Sequence, residues 1–170
     1  MRTRRALSLL AVVASSLLFA SCTRHRGTTH EVETDLQNYS AEMQKWEPTE
    51  KEIFQVIDDV EESQYTDDDL VLRMFKGVLP SIDQHIKEVA AYRPATAELG
   101  DLHDHYRKGW EDLRSAIDAM IAAESKKDYM ALSKGKAQMV AARALLLRAV
   151  TRMDALMEEN DETMKSMQKS

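Results

Sequence analysis

The sequence predicts an all-α chain, an antiparallel up-down four-helix bundle with proline kinks in its first two helices. Three observations carry that expectation. Apolar residues recur at alternating three- and four-residue intervals through four long stretches, which is the pattern of one buried stripe per helix. The joints between those stretches are short, and short connections force neighbouring helices to run antiparallel. Beyond the N-terminal segment the chain is rich in Ala, Leu, Glu, Lys, Gln and Met, all good helix formers, while three prolines and five glycines are few for a β-rich protein.

The first helix is expected from His30 to Glu62, with Val32, Leu36, Tyr39, Met43, Trp46, Ile53, Ile57 and Val60 on its apolar stripe. Glu50 is the one break in that stripe. Pro48 lies inside it, removing a donor and pressing on the carbonyl of Gln44, so it must kink or divide the helix. The stripe keeps its phase across Pro48, which favours a kink. Thr66 then opens a second helix, with Asp67, Asp68 and Asp69 where the helix dipole favours negative charge. That helix carries Val71, Phe75, Val78, Ile82, Ile86, Val89 and Tyr92 and stops before Pro94. Pro80 and Pro48 stand at equal distances from the first turn, so their kinks fall at one height. Structural bending and a widened slot between the helices are the two readings of that coincidence.

The third helix begins near Ala95 or Thr96 and reaches about Lys127, with Leu99, Leu102, Tyr106, Trp110, Leu113, Ile117, Met120 and Ile121 inward. The fourth is capped by Asp128 and carries Leu132, Met139, Leu146 and Met153 as a heptad. Gly135, Ala142 and Ala149 repeat beside them, and small residues in one row let a neighbouring helix come close. The bundle is expected over residues 30–162, with 163–170 as a frayed tail.

Ahead of the bundle, Arg2, Arg4 and Arg5 precede an apolar run from Ala6 to Ala20. This fits the n- and h-regions of a signal peptide spanning residues 1–21. A membrane-spanning helix needs roughly 20 apolar residues, so the run is short for a permanent anchor. At its end Phe19-Ala20-Ser21-Cys22 resembles the lipobox of bacterial lipoproteins, with Ala20 and Ser21 as its small residues and Phe19 where leucine is preferred. The resemblance implies that Cys22 receives diacylglycerol on its sulfur and becomes the mature N-terminus, followed by a short tether over 22–29. An ordinary secretory peptide, cut near Ala20 or Ser21, is the alternative. It would leave the chain's single cysteine exposed to oxidation on an exported protein. Arg4-Arg5 also matches a twin-arginine signal loosely. By the sorting rule for such lipoproteins, Thr23 rather than aspartate after Cys22 implies the outer membrane where a cell has one.

Removing residues 1–21 takes three arginines and no acid, so the formal charge of −6 becomes −9. A surface so negative argues against nucleic acid as a partner, because phosphate binding needs a basic face. Arg24 and Arg26 in the tether would sit at headgroup level and favour anionic lipid. A lone cysteine excludes a disulfide frame, and committing it to lipid excludes a cysteine nucleophile.

The chain carries no Gly-rich phosphate loop, no G-x-S-x-G, no H-E-x-x-H, no C-x-x-C and no C-x-x-C-H. The Glu-x-x-His pairs of di-iron bundles are missing too. One constellation remains. His85 and His103 each lie nine residues from Pro94, level across the second hairpin, and counting back brings Met43 to the same height. His and Met together suit haem iron or copper. The layer is similar in architecture to haem-binding four-helix cytochromes of the b562 type, although the ligand helices do not correspond. The competing expectation rotates each helix slightly, puts Ile86 and Leu102 inward, and leaves both histidines at the boundary bonding Asp101, Asp104 or Tyr106. The methionines on core stripes and the two tryptophans read as packing.

These observations predict a lipid-anchored, non-enzymatic helical lipoprotein of the bacterial cell envelope. It would hold the bilayer through acylated Cys22 and present its bundle to an envelope protein as an adaptor. A haem- or metal-binding bundle using His85 and His103 is the second reading, and a helical sensor or chaperone the third.

Overall fold

The computed structural model describes residues 26–62 and 68–167. The expected signal peptide, Cys22 and the first turn with Thr66 and Asp67 fall outside the described residues. Four helices make up the fold: α1 (Thr29–Glu62), α2 (Asp68–Ala91), α3 (Ala97–Ser125) and α4 (Tyr129–Met167). They form an all-α four-helix bundle.

Local chemistry explains where α1 and α4 begin. Glu31 accepts hydrogen bonds from the Thr28 backbone N–H at 2.7 Å and hydroxyl at 2.8 Å, while its own N–H donates to Thr28 Oγ1 at 3.4 Å. This is a capping box, and it starts α1 at Thr29, inside the stretch expected to be tether. What remains of the described tether is fastened to α3: Gly27 N–H donates to Glu98 at 3.3 Å and Arg26 Nε lies 3.6 Å from the same carboxylate. Asp128 caps α4 as expected, accepting from Ala131 N–H at 3.0 Å. Just before it Lys127 takes a left-handed φ of 56°, which lets Asp128 N–H return to the Ala123 carbonyl at 2.9 Å.

The cap of α3 comes from another helix. Asp35 of α1, buried, accepts from both the backbone N–H and the hydroxyl of Thr96, each at 2.8 Å. Both bonds go to a carboxylate, the stronger kind of hydrogen bond, so this pair fixes the start of α1 against the start of α3.

Pro48 and Pro80 lie inside α1 and α2, and neither divides its helix. At the other end α4 continues through Met167, five residues into the stretch expected to fray. Lys165 pairs with Asp161 one turn earlier, and Thr163 and Ser166 donate to carbonyls of the preceding turn, so the local ladder persists after the apolar pattern ends.

One apolar cluster runs through all four helices. α2 packs on α1 and α3, and α4 packs on α3 and α1. The expected stripes are buried almost as written, with Met43, Ile86, Tyr92, Ile121, Leu132 and Met153 only partly covered. Gly135, Ala142 and Ala149 are buried in their row. A Cβ on Gly135 would lie 2.5 Å from Met120 Cγ, and one on Gly109 of α3 would lie 2.6 Å and 2.8 Å from Leu146 Cδ2 and Cγ. At those two points of the α3–α4 seam even a methyl group would force Met120 or Leu146 to shift. Gly77 of α2 has nothing within 4 Å of the same position.

Two substitutions of one kind should therefore differ in sign. Gly77→Ala is expected to stabilise by about 0.5–1 kcal/mol, since it removes glycine's entropic penalty from an exposed helix. Gly109→Ala gains the same term but drives Leu146 from its rotamer, an overpacking penalty of about 1–3 kcal/mol, so it should destabilise. Urea unfolding of both variants checks this, and stabilisation by Gly109→Ala would contradict the close seam.

Candidate functional site

The helix phase that builds the core also determines what happens to the two candidate histidines. His85 continues the row Val78, Ile82 and Val89 of α2, and His103 the row Leu99, Tyr106 and Trp110 of α3. Both are buried, His85 completely at 0 % exposure. The boundary expectation is corrected: Ile86 is the half-buried neighbour, Leu102 is buried beside His103 rather than in its place, and His103 Nδ1 meets the Tyr39 hydroxyl at 3.2 Å. The histidine that reaches Asp101 is His105, whose Nδ1 lies 2.7 Å from the Asp101 backbone carbonyl.

The structure brings the histidines to aromatic rings. Trp46 of α1 packs against both, with ring centroids 6.2 Å from His85 and 6.5 Å from His103. It also stacks on Tyr106 at 6.1 Å and meets Tyr39 and Tyr92 edge-on. Trp110 lies only 4.3 Å from His85, centroid to centroid. Met43 is half-buried against the core. Among the described residues no group of three or more His, Cys, Asp and Glu side chains stands ready to hold a metal.

The centre of the arrangement is a residue that the histidine count missed. Glu50 occupies the apolar stripe of α1 and so is carried toward the interior, with 18 % of its side chain exposed. Its Oε1 takes two interior neighbours: the Tyr106 hydroxyl donates to it, and His85 Nε2 lies 3.4 Å away. Neither ring nitrogen of His85 has a hydrogen-bond partner, so the Glu50 carboxylate is the polar group this buried imidazole faces. The sequence signal for Glu50 was present, as the single break in an otherwise regular stripe. Its meaning needed the third dimension, because Tyr106 is 56 residues away.

Burial and negative charge act together on the surrounding phenols. Tyr106 is held well above its ordinary value by burial first and by the Glu50 carboxylate second. Tyr39 is raised by burial, then by Tyr92 and Glu50, and Tyr92 is pushed up to about 12 by burial and the charges of Asp35 and Glu42. The unfolded chain ionises these tyrosines near 10.0, whereas the native chain keeps them protonated. Their contribution to stability is therefore complete below pH 10 and declines as pH rises above it, that of Tyr92 being lost by about pH 12 and those of Tyr39 and Tyr106 continuing to fall beyond. The urea midpoint is expected to fall between about pH 9 and about pH 11. A midpoint that did not move would contradict the buried phenols.

Beside Glu50 a groove of about 370 Å³ opens between α1, α3 and α4. Phe54, Tyr106 and Trp110 form its aromatic side, and Leu146, Leu147 and Val150 its aliphatic side. Arg143 stands at the rim with its guanidinium 5.3 Å from the centre of the Phe54 ring, held by Asp58 at 2.8 Å and Glu61 at 3.1 Å. A larger cleft of about 650 Å³ lies at the end of the bundle beside the tether, where Arg26, Arg148 and Arg152 face Glu98 and Asp101.

Comparison with protein-family models, with curated proteins and with solved structures gives no match to this chain.

Proposed function

We propose that this chain is a lipid-anchored helical lipoprotein of the bacterial cell envelope, a non-enzymatic module that holds a protein partner on the outer face of α4. The observation that carries the partner-binding part is an exposed apolar row on that helix. Val140 is 60 % and Leu147 67 % exposed. Their seven-residue spacing places them on one face, with Ala144 between them. Met130 and Tyr129 are exposed at the start of the same helix. Single exposed apolar residues are ordinary, but a row of them on one helix is the kind of surface that marks an interaction site.

The anchoring part rests on the lipobox resemblance at Cys22 and on where the tether leads. Among the described residues no helix is long and apolar enough to cross a membrane, so attachment would fall to the N-terminal segment. Glu98 holds Gly27 and Arg26 against α3, and the acylated residue would be four positions away. With so short a lead, the end of the bundle carrying Asp35 and Thr96 would face the bilayer. The outer membrane is the favoured location where a cell has one, by the residue after Cys22.

The haem or copper reading draws support from the burial of both His85 and His103. Trp46, however, packs against both rings, and His103 already meets Tyr39. A planar cofactor would have to displace that indole.

A photo-crosslinking residue in place of Val140 or Leu147, in the intact cell, tests the proposal. Each should give the same discrete adduct, a probe at exposed Lys87 of α2 should not, and Leu147→Glu should abolish capture from position 140. Equal capture from all three positions, or none, would overturn the reading.

A further inference from the structure

The groove beside Glu50 has a chemical character that partner binding on α4 leaves unexplained. A carboxylate in an apolar hollow is costly unless something compensates it. Here Oε1 is turned to Tyr106 and His85, and His85 is itself completely buried and without a hydrogen-bond partner. Glu50 is the one acid that lines the groove. Three aromatic side chains line the groove with Glu50: Phe54 and Trp110, with ring centroids 5.3 Å apart, and Tyr106, 6.3 Å from Trp110.

The charge balance selects the ligand's sign. Arg143 is the cation on the rim, and Asp58 and Glu61 both engage it, so it has little left for an anion. Counting Glu50, the groove and its immediate rim are formally negative. A metal ion lacks the donors, since no cluster of three such side chains exists among the described residues. An organic cation answers each feature at once: its ammonium satisfies the carboxylate, and its apolar body packs between the aromatic wall of Phe54, Tyr106 and Trp110 and the aliphatic wall of Leu146, Leu147 and Val150. A cavity of about 370 Å³ falls in the range that takes small molecules.

We propose that the groove between α1, α3 and α4 binds a small arylalkyl ammonium compound, with Glu50 taking the ammonium group and Phe54, Tyr106 and Trp110 enclosing its apolar body. This site is separate from the anchor; it shares Ala144 and Leu147 with the α4 face proposed for a partner, and ligand binding to the purified chain needs no partner.

The test is calorimetric titration of the full chain, purified from membranes in non-ionic detergent, with three probes of one shape: 2-phenylethylamine, 2-phenylethanol and 3-phenylpropanoate. Detergent blanks correct for partition. The amine should bind at one site at least about tenfold more tightly than the alcohol, a difference of about 1.4 kcal/mol. The propanoate should bind more weakly still. Glu50→Gln keeps the shape and should remove that preference. Ala144→Trp fills the groove from α4 while leaving the Glu50 carboxylate in the chain, and should abolish binding while the thermal midpoint shows a folded chain. Equal affinity for the three probes, an unchanged amine preference in Glu50→Gln, binding that survives Ala144→Trp, or no binding of any probe would each overturn the proposal. If Glu50→Gln fails to fold, the probe comparison and Ala144→Trp decide alone.

Discussion

Trp46→Ala is expected to destabilise the bundle by about 3–5 kcal/mol, a large fraction of the roughly 5–15 kcal/mol that holds an ordinary domain together. Trp46 sits where α1, α2 and α3 meet. It touches Tyr39, His85, Tyr92, His103 and Tyr106, all with ring centroids between 6.1 and 6.5 Å. Truncation removes the indole's own burial and leaves a void that five rigid rings cannot easily close. It also opens a path for water to His85 and to the Tyr39–His103 hydrogen bond. The loss should appear in urea unfolding as a lowered midpoint with an unchanged slope. Trp46→Phe, which keeps an aromatic ring in the gap, should cost less. A loss below about 1 kcal/mol for Trp46→Ala would mean that the cluster is not close-packed, and the objection to a planar cofactor at His85 and His103 would weaken with it.

The helix stripes were legible because they are local: a three-four alternation needs no knowledge of the partner helix. The row of Gly135, Ala142 and Ala149 was legible for the same reason, and Gly109 completes it from the other side of the seam. What the sequence could not show were pairings across long separations. Asp35 looks like a polar residue beside Leu36, and its work as the cap of α3 depends on Thr96, 61 residues away. Phase alone left His85 and His103 one residue from the boundary, and the burial of whole aromatic rings around them decided the rotation. Glu50 stood out as a break in a pattern, yet only the neighbouring Tyr106, His85 and Trp110 turn that break into a candidate binding group. α4 runs on past its apolar stripe because loss of the stripe removes the packing of a helix but not its local hydrogen bonds. The lipobox resemblance at Cys22 lies outside the described residues, and packing has no bearing on it.

The second large effect concerns that cysteine. Two signals are needed for stable attachment by acyl chains, and the diacylglycerol that the lipobox implies would supply two chains at one residue. Buried methylenes each contribute about 0.8 kcal/mol, so such an anchor outweighs anything the Arg24 and Arg26 charges add at the headgroups. Serine is nearly the same size as cysteine, leaves the bundle residues untouched, and lacks the sulfur that accepts the lipid. Cys22→Ser should therefore change location without changing the fold. The decisive measurement is to grow cells with an alkyne-tagged fatty acid, detect label on the wild type and on Cys22→Ser, and separate membrane from soluble fractions. The proposed anchoring predicts label and membrane sedimentation for the wild type, and loss of both for the variant with an unchanged circular dichroism spectrum. Label persisting on Cys22→Ser, or an unlabelled wild type, would contradict it.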